Sequence, residues 1–132
     1  MEHWTTIAAE RRALAGELDG LDTEQWATQS LCGEWTVRDV AAHLVVPHKV
    51  RIPRFLLTFL AARGSFDRAN VALTAREAVR PTVEIIADIR PYADGRFTPP
   101  GLGSVAPLTD VLVHGQDIRI PLGLPDNRPV EP

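Results

Sequence analysis

The stretch Pro107-Leu-Thr-Asp-Val-Leu-Val-His-Gly-Gln-Asp117 sets Asp110, His114 and Asp117 four and then three residues apart. On a helix they share an arc of about 60° and climb it one turn at a time. An Asp and a His at i and i+4 project the same way, about 6 Å apart along the axis, so both can reach one divalent ion. The same spacing suits a plain solvated face, because Leu108, Val111, Leu112 and Ile118 occupy much of the other side. His43, in Asp39-Val-Ala-Ala-His-Leu44, lies at the flank of its own apolar stripe. A packing or capping role is its alternative to ligation. His48 follows Pro47 and projects differently, and His3 reads as a frayed first-turn residue. No Ser-His-Asp signature, glycine-rich phosphate loop or Cys/His zinc-finger spacing accompanies them.

Helices have to position these side chains. From about His3 to Leu21, Trp4, Ile7, Ala8, Leu14, Leu18 and Leu21 recur at the spacing of one helical face. Thr36-Val-Arg-Asp39 predicts a helix start, with Thr36 as N-cap and Asp39 answering it as in a capping box. That helix carries His43. Pro47 should disturb it, and Pro53 should either do the same or open a new helix through Phe55, Leu56, Phe59 and Leu60. A further helix is expected over about Phe66 to Val79, and a short one from Pro81 to Ile89. Pro91 to Pro107, with Pro99-Pro-Gly101, reads as irregular, and a last helix runs from Pro107 to about Ile118. The expectation is an all-α chain of four main helices. Residues 1–120 form the bundle, and 121–132 form a Pro-rich extended tail that opens a further C-terminal segment.

The chain of 132 residues has 45% hydrophobic and 23% charged residues, a globular mixture of single-domain size. Its net charge of −3 supplies no basic field for a phosphate backbone, so nucleic acid is excluded as the expected partner. Phe55 to Ala62 is among the longest apolar runs and falls far short of a membrane span, and acidic Glu2 and His3 follow Met1 in place of a basic leader. A cytoplasmic protein is expected. The one cysteine, Cys32, is read as a small, partly buried loop residue, with no His or Lys beside it in sequence to activate it.

Cys32-Gly-Glu-Trp-Thr-Val-Arg-Asp-Val-Ala-Ala-His-Leu44 resembles the W-[ST]-V-R-D-V-x-A-H-L segment of the mycothiol-dependent maleylpyruvate isomerase N-terminal domain family, within the DinB-like superfamily. Phe66-Asp-Arg-Ala-Asn70 and Leu112-Val-His-Gly-Gln-Asp-Ile-Arg-Ile-Pro-Leu-Gly123 are similar to its later segments. The resemblance implies a DinB-like four-helix bundle with a divalent metal, Zn²⁺ or Ni²⁺, near one end, held by His43, Asp110 and His114. Asp110 stands where the isomerase carries the longer Glu, and Gln116 where relatives carry Trp or Glu.

A bound low-molecular-weight thiol, mycothiol by resemblance, would ionise on such a metal. The implied activity is thiol transfer or thiol-assisted isomerisation of a small electrophile. Asp117 then orients a ligating imidazole, and Arg38 or Arg119 is available for a substrate carboxylate, each with a surface or capping role as its alternative. The rival reading is a non-catalytic bundle that serves as a binding or homodimerisation module.

Overall fold

In the computed structural model the described residues are 3–96, 98 and 103–124. They are all-α, with no strand among them beyond one isolated bridge between Gln29 and Thr36. The helices are α1 (Trp4–Asp19), α2 (Thr23–Trp26), α3 (Val37–Lys49), α4 (Ile52–Ala61), α5 (Phe66–Ala78), α6 (Thr82–Ile89) and α7 (Val105–Leu122), with a 3-10 turn at Pro91–Asp94. α1 packs on α6 and α7, and α3 packs on the same two helices, so the four close a ring. Leu14 and Leu18 of α1, Val40 and Val45 of α3, Ile85 and Ile89 of α6 and Ile118 of α7 meet inside it. Each of these buried side chains contributes about 2 kcal/mol through removal from water.

The local signals explain most boundaries. Thr36 accepts from the Asp39 N–H at 3.3 Å, and Asp39 accepts from the Thr36 N–H at 3.0 Å, the reciprocal cap expected at the head of α3. Pro47 is tolerated in the last turn of α3, which ends at Lys49, and Pro53 sits in the first turn of α4. The chain therefore breaks between the two prolines, at Val50–Arg51. The four main helices and the short one from Pro81 become seven among the described residues, because α4 separates and α2 appears. α2 is held by a capping box between Asp22 and Gln25 and is too short to show a period.

The largest departure is at the C-terminal end. α7 begins at Val105 and continues to Leu122, past Pro121 where an extended tail was expected. Gly123, at φ 66°, ends it: the Gly123 N–H bonds to the Ile120 carbonyl and the Leu124 N–H to that of Arg119. This paired closure demands a left-handed residue, for which glycine has no steric penalty. The rest of the expected tail, 125–132, and residues 97 and 99–102 of the Pro/Gly-rich segment before α7 lie outside the described residues.

Charged groups tie the ring together. Arg119 of α7 is buried, with Nε and Nη2 donating to Glu17 Oε1 of α1 at 2.8 and 2.7 Å. Gly115 makes room for it, since a Cβ there would stand 2.8 Å from Arg119 Nη1. Lys49 of α3 reaches Glu77 at 3.0 Å and Asp88 at 2.9 Å, and Arg80 bonds to the same two carboxylates. Glu17→Ala should therefore strand a buried guanidinium and cost about 3 kcal/mol in urea unfolding, with Gly115→Ala acting in the same direction.

Burial alone would push the Asp88 carboxyl up, but Lys49 and Arg80 outweigh it and hold the group below its ordinary value of 3.8. A depressed carboxyl stabilises the fold above its unfolded pKa, and that contribution fades as pH falls through the lower folded value. Asp88→Asn should remove about 1 kcal/mol near neutrality. It should also flatten the loss of melting temperature on acidification below about pH 4, as followed by thermal scans.

Candidate metal centre

His43 lies in the middle of α3, one turn before Pro47, and its ring is wedged between two others. Trp35 stands 5.0 Å away, centroid to centroid, and His114 meets it nearly edge-on at 4.9 Å. His43 Nδ1 is buried without a hydrogen-bond partner among the described residues, so packing holds this ring. From α7, Asp110 Oδ1 lies 3.3 Å from His114 Nε2 and 3.6 Å from His43 Nε2. The other nitrogen of His114, Nδ1, is 3.0 Å from Asp117 Oδ2.

The stripe Asp110–His114–Asp117 thus faces α3, and the solvated-face alternative does not hold for it. Solvent is met instead by apolar side chains of α7, with Val105, Val113 and Ile120 all more than half exposed. Apolar residues all round the helix left its pattern without a clear inward direction.

The shared oxygen carries the electrostatics. Burial would raise the Asp110 carboxyl, but hydrogen bonding and charge from His114 and His43 prevail and hold it well below the usual carboxylate range. His114 is raised in turn, first by Asp110, with burial opposing and Asp117 assisting. Separations of 3.3 and 3.6 Å make these looser contacts than the 3.0 Å bond between His114 and Asp117. They match the edge of about 3.4 Å between two ligands of a tetrahedral ion with bonds near 2.1 Å. One ligand atom from each of His43, Asp110 and His114 lies within 4.8 Å of the other two. Two imidazoles and one carboxylate are a fitting donor set for Zn²⁺ or Ni²⁺.

Residues 7–96, more than half of the chain, match the family described as mycothiol maleylpyruvate isomerase N-terminal domain. The chain belongs to that family. The DinB-like superfamily is consistent with it. No curated protein and no solved structure gives a significant match. The span matched to the isomerase family includes Trp35, the Thr36 cap and His43 but ends before α7. Asp110 and His114 are therefore carried by their spacing and by the packing of α7 on α3.

Cys32 is the partly buried, unactivated loop residue that was expected, but it has neighbours that the sequence does not show. It has no His beside it in sequence, yet in space it groups with His114 and Asp117, again with ligand atoms within 4.8 Å of one another. Pro121 is the cause. It lacks the N–H that would bond the Asp117 carbonyl, and that carbonyl accepts from the Leu31 N–H at 3.1 Å, tying the loop to α7. Burial, then the charges of Asp117 and Asp110, push the thiol up, so Cys32 stays protonated despite its neighbour. Nothing local in the sequence reports this contact.

The remaining candidates are engaged elsewhere. Arg38 donates to the carbonyls of Ala78 and Arg80 at 3.1 and 2.8 Å and lies over the Trp26 ring, and Arg119 is the partner of Glu17. Arg119 is thereby buried against α1, and one nitrogen of Arg38, Nη1, is taken by backbone carbonyls. His48 stacks on Tyr92 at 5.3 Å. Burial, helped by Arg11, lowers its pKa to about 4, so its ring is neutral at physiological pH.

Trp35 is half-buried against the core and is also the wall of the His43 ring. Trp35→Ala should lower stability by about 3 kcal/mol in chemical denaturation. It should also broaden the His43 ring resonances. A change near zero would show that this ring supports neither the core nor the imidazole.

Proposed function

We propose that this protein is a metal-dependent, mycothiol-using transferase or isomerase of the cytoplasm, acting on a small electrophile. The observation that carries the reading is the convergence of His43 Nε2 and His114 Nε2 on Asp110 Oδ1 at 3.6 and 3.3 Å. His43 and His114 would hold a divalent ion, and Asp110 would offset one of its charges. A Zn²⁺ or Ni²⁺ bound there would supply the positive charge that ionises a coordinated thiol near neutral pH.

The chain's own groups set the stage for that nucleophile. Asp117 accepts from His114 Nδ1–H, which fixes the tautomer that leaves Nε2 free to ligate. Trp35 keeps the His43 ring turned to the same centre. In transfer, the thiolate sulfur forms a C–S bond as the leaving group departs with its electron pair. In isomerisation, sulfur adds to a conjugated double bond, rotation follows, and elimination returns the thiolate.

A second reading, a binding or homodimerisation module, is favoured by α4, which buries no residue and exposes Ile52, Leu56, Leu57 and Leu60. Metal content and turnover separate the two. Protein purified without chelator should carry about one divalent ion per chain by elemental analysis. His43→Ala and His114→Ala should each lose the ion with helical content intact. Retention should fail on acidification, because a protonated imidazole cannot ligate. Ion-dependent conjugation of mycothiol to an electrophile supports the enzyme. Metal-free protein that dimerises in sedimentation supports the module.

A further inference from the structure

A cavity of about 760 Å³ opens beside the candidate metal centre, with His43 and Asp110 in its wall. This is the size of a pocket that encloses an ordinary organic ligand. Its lining draws on α1, α3, α4, α5, α6 and α7, and is mostly hydrocarbon: Leu44, Val50, Phe55, Phe66, Leu73 and Val111 are typical.

The charged groups of the lining are few and already engaged. Among the described residues Arg11 is its one lysine or arginine, against the carboxylates Asp88 and Asp110. Arg11 Nη1 donates to the carbonyls of Tyr92, Ala93 and Gly95 at 3.2, 3.2 and 2.8 Å. Asp88 is held by Lys49 and Arg80. His48, stacked on Tyr92, lines the same space as a neutral ring. A dianion entering this cavity would leave water for mostly apolar walls whose own groups, among the described residues, supply no surplus positive charge; an ion held by His43, Asp110 and His114 would add charge at one end only and leave the second carboxylate of a dianion unpaired against hydrocarbon. An uncharged apolar body gains from the same walls.

We infer that this cavity is the binding site for the electrophile and that it takes an uncharged hydrophobic one, such as an aryl or long-chain alkyl compound, in preference to a small dicarboxylate. The assignment of the occupant as electrophile rests on the proposed function, whereas its chemical class rests on the cavity alone. His43 and Asp110 belong to both the candidate metal centre and the wall, so an occupant of the cavity lies beside the proposed site.

The cavity can be tested without metal or turnover. N-phenyl-1-naphthylamine, an uncharged probe that fluoresces in apolar surroundings, should bind the full chain saturably at about one per chain, with or without chelator. Ala106→Trp, which crowds the wall, and Phe55→Ala, which removes part of it, should each weaken the probe about tenfold. Either variant that keeps the wild-type circular dichroism suffices. Leu57→Ser, on the exposed side of α4 and away from the lining, should leave binding unchanged. Fumarate should not displace the probe.

Non-saturable binding overturns the inference, as does loss of binding in Leu57→Ser alone or displacement by fumarate. Saturable binding that follows the wall variants upholds it even if no thiol conjugation is found, in which case it is the enzymatic reading that fails. Metal binding with no probe uptake has the opposite meaning.

Discussion

One carboxylate oxygen, Asp110 Oδ1, stands between two imidazole nitrogens where α7 crosses α3. Polar groups in such a position are costly unless each finds a partner, and the more so as the surroundings become apolar. His114 meets the demand on both sides, with Asp110 at Nε2 and Asp117 at Nδ1. His43 meets it on one side only, leaving Nδ1 buried and unpaired among the described residues. Hydrocarbon packing elsewhere in the ring of α1, α3, α6 and α7 has to offset that deficit. A cluster kept at this cost, while apolar replacement of the same side chains would satisfy a plain bundle, is the physical reason to read it as a site.

The two sides of the cluster were legible to different degrees. α3 announces itself, because Thr36 and Asp39 satisfy each other's backbone N–H groups and any helix starting there has a fixed phase. That phase places His43 on the flank of the apolar stripe. α7 hides its phase, since Val105, Val113 and Ile120 lie outward while Val111 and Ile118 lie inward. Spacing brought Asp110, His114 and Asp117 onto one stripe without revealing whether water or α3 covers it. The answer depends on the packing of α7 against α3, a contact between residues distant in sequence that no local pattern encodes.

Proline misled the local reading for a related reason. Pro121 signals a helix end because its ring removes a hydrogen bond, yet in the final turn only one carbonyl is lost to the helix. That carbonyl, of Asp117, is taken by the Leu31 N–H, and Gly123 then closes the helix two residues later. The apparent defect becomes the attachment point of the 27–36 loop, which is why Cys32 stands beside His114 and Asp117. Pro47 works similarly in α3. It withdraws the N–H that would bond the His43 carbonyl, and α3 runs on only as far as Lys49, where the ammonium pairs with Glu77 and Asp88.

Those ion pairs also bear on the character of the cavity. Asp88 lines it, and an unpaired carboxylate there would admit water and favour cationic ligands. Lys49 and Arg80 prevent this by pairing with Asp88, and both cations are shared with Glu77, while Arg80 also reaches Glu84 at the exposed edge of the network. The network therefore does two things at once: it joins α3, α5 and α6, and it keeps the carboxylate that it presents to the cavity wall paired. Because stability and ligand preference draw on the same four or five side chains, a change that alters the charge of the cavity at Asp88 must also loosen the helices that form it. A new ligand class is more easily reached by reshaping the hydrocarbon wall at Phe55, Phe66 or Ala106, where volume can change without breaking an ion pair.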